Sequence, residues 1–257
     1  MGDRVYHFVV GGLKLFKRQY DLIGKENLPQ TGPAVFIANH LDSSGPVACC
    51  CSIPLRMHLW GMADLLDPGK ASAVMNSYFT EKELHLKPPL STWFSYLLTR
   101  ITVPLLRSLD CIPAFRGEAG RQETLRLSIK VLRQNKFLLI FPYNPSMQRD
   151  EANGIEPFRP TFTRLGEMYY AETGECLRFY PVAIHTHGYL MVGKPAIFNP
   201  LNPVGLEQQR LKDLTENTVR AMYMQQEMNK QLEGGNLSGS RTVKRMKNSI
   251  RSLDDTR

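Results

Sequence analysis

The stretch Ile37-Ala38-Asn39-His40-Leu41-Asp42-Ser43-Ser44-Gly45-Pro46 places an imidazole directly after an apolar run, at the start of a turn of small residues. Histidine titrates closest to neutrality, so it can take a proton from a hydroxyl at pH 7. Such a base is held in the right tautomer by a carboxylate, and the nearest acid in the chain is Asp42, two residues on. A plainer reading, in which His40 only closes a strand by hydrogen bonding, is what the residue pair alone favours. A second group is cationic. Arg116 and Arg121 flank Gly117 and Gly120 just before a helix-like stretch. Backbone amides at a helix start favour an anion such as phosphate; the alternative is a loop with solvated arginines. His185 and His187 in AIHTHG stand at i and i+2, on one face of any strand. Two imidazoles in that spacing can grip a metal, but without a third ligand in sequence they read as polar residues at a strand exit. Asp64 and Asp67 in MADLLDPG read as a helix end before a Pro-Gly turn. Trp93, Phe94 and Tyr96 read as core or interface anchors rather than a ligand cage.

These residues need elements to hold them. Ala34–Ala38, Phe137–Phe141 and Phe179–Ile184 are short apolar runs bounded by turn residues and are predicted as buried strands, with Cys111–Ala114 a fourth. In Arg121–Gln134 the residues Leu125, Ile129 and Leu132 follow helical spacing, and Thr161–Glu172 is a second helix candidate. Leu206–Leu232 is predicted as a long polar surface helix that Gly234-Gly235 terminates. Strands interleaved with helices predict an α/β domain with a mixed or mostly parallel sheet flanked by helices, and polar residues at strand ends are where such folds place sites.

The chain of 257 residues suits one large domain, and 42% hydrophobic residues suffice for a packed core. The net charge is +8. Residues 234–257 hold six Lys/Arg against two acids, a local +4 and thus half of the excess. That balance suits an anionic partner, whether headgroups, a phosphorylated substrate or nucleic acid. No nucleic-acid motif accompanies the charge, so no nucleic-acid partner is expected. The five cysteines, three of them consecutive (Cys49, Cys50, Cys51), show neither a disulfide framework nor a zinc spacing, and no metal is expected. Reduced, buried thiols of a cytoplasmic protein account for them. Val5–Phe16 and Trp93–Leu109 are apolar but interrupted by charge, and both are too short to span a bilayer. Each can lie in a membrane interface; a buried helix with snorkelling arginines is the alternative for the second.

The order of the blocks carries further information. DLIGKENLPQTGPAVFIANH (Asp21–His40) is followed by LDCIPAFR (Leu109–Arg116), FLLIFPYNPS (Phe137–Ser146), FRPTFTRL (Phe158–Leu165) and FYPVAIH (Phe179–His185). From about Tyr20 to Pro200 this succession resembles the glycerolipid acyltransferase family, which acylates glycerol-3-phosphate or its 1-acyl product. The resemblance implies an acyltransferase-like domain over 21–205, after an apolar or amphipathic helix over 1–20. A helix over 206–233 and a flexible basic tail over 234–257 would follow. It implies acyl transfer from a thioester, acyl-CoA or acyl carrier protein as co-substrate, with no other cofactor. The acceptor is a hydroxyl of a glycerolipid. The protein would sit peripherally on the cytoplasmic face of a membrane. His40 becomes the general base, Asp42 its orienter, Arg116 the contact to the acceptor's anion, and Asn39, Tyr143 and Pro181 line the substrate site.

The departures from that family's pattern fall on functional positions. In its His-x4-Asp motif the Asp corresponds to Gly45, and its Phe-Pro-Glu-Gly-Thr-Arg block keeps Phe141-Pro142 but continues Tyr143-Asn144-Pro145-Ser146, with Arg149 three residues later. Two expectations follow. One is an acyltransferase with a shifted site and an acceptor that need not carry a phosphate. The other is an inactive relative that keeps the fold and binds a membrane or an acyl chain.

Overall fold

The protein is described by a computed structural model over Gly11 and residues 20–41, 44–82, 84–143 and 155–234, with side chains through 228. Asp42, Arg149, nearly all of the N-terminal apolar stretch and the basic tail lie outside the described residues. By internal contacts Met1–Tyr223 forms one unit and Met224–Arg257 a second.

Among the described residues, eight strands form one sheet in the order β1-β7-β6-β2-β5-β3-β4, with β8 paired to β6. They are β1 (Asp21–Ile23), β2 (Ala34–Ala38), β3 (Met57–Met62), β4 (Ile112–Ala114), β5 (Phe137–Ile140), β6 (Arg178–Ile184), β7 (Tyr189–Val192) and β8 (Ala196–Ile197). The run β6-β2-β5-β3-β4 is parallel throughout, and β7 and β8 pair antiparallel to β6. The sheet is thus mixed and mostly parallel, as the alternation of elements predicts.

β2 sits between β5 and β6, with Ile37 opposite both Ile140 and Pro181. A strand covered on both faces needs apolar residues on both, and all five residues of Ala34–Ala38 are fully buried. The two faces then divide the interior. Val35 and Ile37 point to a core shared with helices α5 (Gly117–Leu132), α6 (Arg164–Thr173) and α7 (Val204–Gly234) through Leu125, Leu165 and Val219. Ala34, Phe36 and Ala38 point to a second core with α1 (Ser44–Ser52), where the three consecutive cysteines are buried. Phe36 stacks on Tyr180 there, centroids 5.3 Å apart.

The crossover from β3 to β4 contains the short helices α2 (Ala63–Leu66) and α3 (Ala71–Met75), then the long α4 (Leu90–Ser108). α5 begins at Gly117, earlier than its apolar spacing shows, because Gly117 adopts φ +75° and lets the chain turn sharply out of β4. α6 follows a 3-10 turn at Pro160–Thr163 and ends at Gly174, whose left-handed φ of 73° suits a C-terminal glycine. α7 is less superficial than its polar sequence predicts: Leu211, Thr215 and Val219 are fully buried.

Candidate active site

Because β2, β5 and β6 are parallel, the residues that follow them emerge along one edge of the sheet, where α/β folds place sites. The edge is pinned by Asn39. Its side-chain amide donates to the Ile184 carbonyl at 3.0 Å and its carbonyl accepts from the Ile184 N–H at 2.7 Å. This one side chain extends the β2–β6 ladder by a residue beyond Ala38. Asn39 is therefore buried and committed to backbone, and it fixes the strand end from which the next residue emerges.

That next residue, His40, is half-buried. Its ring meets Phe141 edge-on at 5.4 Å and lies over Tyr143 at 4.5 Å with an interplanar angle of 31°. Both partners come from the segment after β5. The block that departs most from the family's pattern thus builds the wall beside the imidazole, with Tyr143 against the ring. The Pro142 carbonyl accepts from the Arg159 N–H at 2.7 Å, which ties this wall to the stretch leading into α6.

Tyr143 also faces a pocket of about 140 Å³ at the ends of β3, β4 and β5. Trp60, Phe115, Phe141 and Phe162 supply its aromatic wall, and Arg121 and Arg159 supply its cations. Its aromatic surface suits an apolar ligand, and two guanidinium groups suit an anionic one. Arg116 stands exposed as the residue preceding α5 and is not among the pocket's lining residues; the arginine of that turn that lines it is Arg121. Arg159 was not singled out in the sequence because it lies well downstream of the block it completes. Glu118 tempers the local charge. It accepts from Arg121 at 2.5 Å and from Arg164 at 3.1 Å, and those hydrogen bonds hold its carboxyl down at about 2.

Gly45 lies in the first turn of α1 and is buried. A Cβ there would meet Ile184 Cδ1 at 3.5 Å, Leu41 Cβ at 3.6 Å and Phe141 Cε1 at 3.8 Å, all ordinary contacts. The position has room for a side chain that would start beside Phe141, the ring that touches His40. Asp42, the carboxylate expected to orient His40, is outside the described residues.

Pro181 lies within β6. It pairs with Ile37 in mid-sheet, three residues before the end of β6 and so roughly 10 Å along the strand from Ile184. Its carbonyl accepts from the Gly193 N–H at 2.9 Å, and its ring fills the space that a Cβ on Gly193 would enter. It is buried within the sheet. His185 is buried, stacked on Tyr223 at 4.4 Å and on His187 at 4.7 Å. Its Nδ1 accepts from the His187 N–H at 3.2 Å, so the pair shapes the turn from β6 to β7.

The sheet order and the polar residues gathered at its carboxyl edge define an α/β fold with a candidate site at that edge. Among solved structures, the chain is similar to the 1-acyl-sn-glycerophosphate (LPA) acyltransferase PlsC from Thermotoga maritima, with a TM-score of 0.50 and 12% identity over 85% of this chain and 78% of that one. Neither a family model nor a curated protein matches the sequence. The likeness is therefore one of fold, and it agrees with the fold that the ordered sequence blocks imply.

Proposed function

We propose that the protein is an O-acyltransferase that moves a fatty acyl group from a thioester, acyl-CoA or acyl carrier protein, to a hydroxyl of a glycerolipid-like acceptor. The observation that carries this reading is the position of His40, held by Asn39 at the sheet's carboxyl edge and stacked on Tyr143, which also lines the aromatic, doubly cationic pocket. His40 takes the proton from the acceptor hydroxyl as that oxygen attacks the thioester carbonyl carbon. The carbon–sulfur bond breaks as the ester forms, and the imidazolium returns the proton to the departing thiolate. No acyl-enzyme is needed. Arg121 and Arg159 hold the acceptor's anionic group, and Arg116 meets it or the donor's phosphates at the rim.

Gly45 favours a second reading, in which the chain is an inactive relative that binds lipid. A dyad without its carboxylate loses up to ~10⁴-fold in rate. One experiment separates the two. Purified protein is assayed with labelled acyl-CoA and lysophosphatidic acid or another lysophospholipid. On the enzymatic reading wild type transfers acyl groups, His40→Ala abolishes transfer, and Gly45→Asp raises it at least tenfold by supplying the orienting carboxylate. Full activity in His40→Ala removes the imidazole from the mechanism. Absence of transfer in both wild type and Gly45→Asp leaves the lipid-binding reading.

A further inference from the structure

α4 is built inside out. It has 19 residues and is about 28 Å long. A helix on a soluble domain turns its large apolar side chains inward, yet here Ser91, Ser95, Thr99, Val103 and Ser108 form the buried stripe. Ser95, Thr99 and Ser108 satisfy their hydroxyls on carbonyls of the helix itself, at 2.9, 2.7 and 2.6 Å. Small residues let the helix lie close to α3 and the turn after it. The large residues face out: Leu90, Trp93, Tyr96, Leu97 and Ile101 are all exposed, Trp93 at 63% and Ile101 at 65%. At spacings of three and four residues they make one continuous strip.

We infer that this outer face of α4 docks in the interface of a bilayer carrying anionic lipid. The helix carries Arg100 and Arg107 and no acidic residue. Arg100 lies over the Tyr96 ring, 5.7 Å from its centroid, and donates to the Tyr96 hydroxyl at 3.0 Å. An indole, a phenol and a guanidinium folded back along the helix surface are the groups that settle at headgroup level, with aliphatic chains below them. Cations without acids complement lipid phosphates. A second copy of the chain would instead bring like-charged faces together in any two-fold pairing. Among the described residues no helix is long and apolar enough to cross a membrane, so the contact lies in the plane of the surface. The docking does not rest on acyl transfer; an inactive lipid-binding chain would have it too.

The chain has two tryptophans. In the full chain carrying Trp60→Phe, Trp93 is the only indole, and its fluorescence reports the helix alone. With vesicles of phosphatidylcholine and phosphatidylserine we expect emission to move to shorter wavelength and to be quenched by brominated acyl chains. Binding should be weaker on phosphatidylcholine alone. Ile101→Glu or Leu97→Gln, both at exposed positions, should weaken vesicle binding about tenfold. Should Trp60→Phe fold poorly, the loss of the shift in Trp93→Phe gives the same information. Vesicle binding with an unmoved Trp93 signal overturns the inference by placing the contact elsewhere on the chain. Absence of vesicle binding overturns it as well. A shift that instead follows protein concentration without lipid, with dimers in sedimentation, assigns the face to a second copy.

Discussion

Asn39 shows how one side chain can fix the edge of a candidate site through backbone contacts. Its amide makes two hydrogen bonds to the buried backbone of Ile184, and the imidazole follows one residue later. Asn39→Ala leaves a buried N–H and a buried carbonyl unpaired, each worth about 1–3 kcal/mol. We expect it to lower unfolding free energy by about 2–4 kcal/mol in urea titrations, and to reduce any acyl transfer even where the protein remains folded. Asn39→Asp should do no better, because a carboxylate facing the Ile184 carbonyl repels it. Unchanged stability in Asn39→Ala would show that the strand end does not depend on this clamp. In sequence Asn39 was visible only as the neighbour of a histidine. The partner that fixes its role is 145 residues away, across two parallel strands, and local pattern carries no trace of such a pair. The surroundings of Pro181 are set in the same non-local way, by its register with Ile37 of β2.

At the scale of elements, the strands that sequence exposes are those covered on both faces, because burial forces an unbroken apolar run, as in Ala34–Ala38. β3 escaped because Met57–Met62 includes His58 and Gly61 and has no β-branched residue. α1 escaped because three cysteines and two serines give no helical period. α4 was visible as an apolar segment, but sequence alone left open which side faces out; only packing reveals that serines and threonines fill the inside. The junction of β4 and α5 shows the same dependence on close approach. A Cβ on Gly120 would lie 2.6 Å from Phe115 Cβ, and Phe115 lines the pocket. Helix propensity alone favours Ala over Gly by about 1 kcal/mol, whereas overpacking costs about 1–3 kcal/mol. We expect Gly120→Ala to destabilise the protein, opposite in sign to propensity, with a lower urea midpoint and a disturbed pocket. A raised midpoint would mean that Phe115 moves aside freely.

At the scale of the molecule, the sheet separates two cores of different chemistry. The core against α5, α6 and α7 is aliphatic and aromatic, while the core against α1 holds Cys49, Cys50 and Cys51 with Cys111 packed at its margin. Burial pushes the Cys50 and Cys111 thiols up to about 12 and raises Cys49 well above its ordinary value. A thiol titrating near 12 is only ~10⁻⁴ thiolate at pH 8, and the thiolate is the reactive form. Cys176 is the one fully exposed cysteine. The native protein should therefore consume about one equivalent of Ellman's reagent quickly and the other four slowly. The full five should react at once in concentrated guanidinium. Opening of the α1 core requires the central strand β2 to lose one of its two faces, so Cys49, Cys50 and Cys51 should share one rate that tracks global unfolding. If Cys49, Cys50 and Cys51 reacted well before the sheet unfolds, α1 would be a locally opening element.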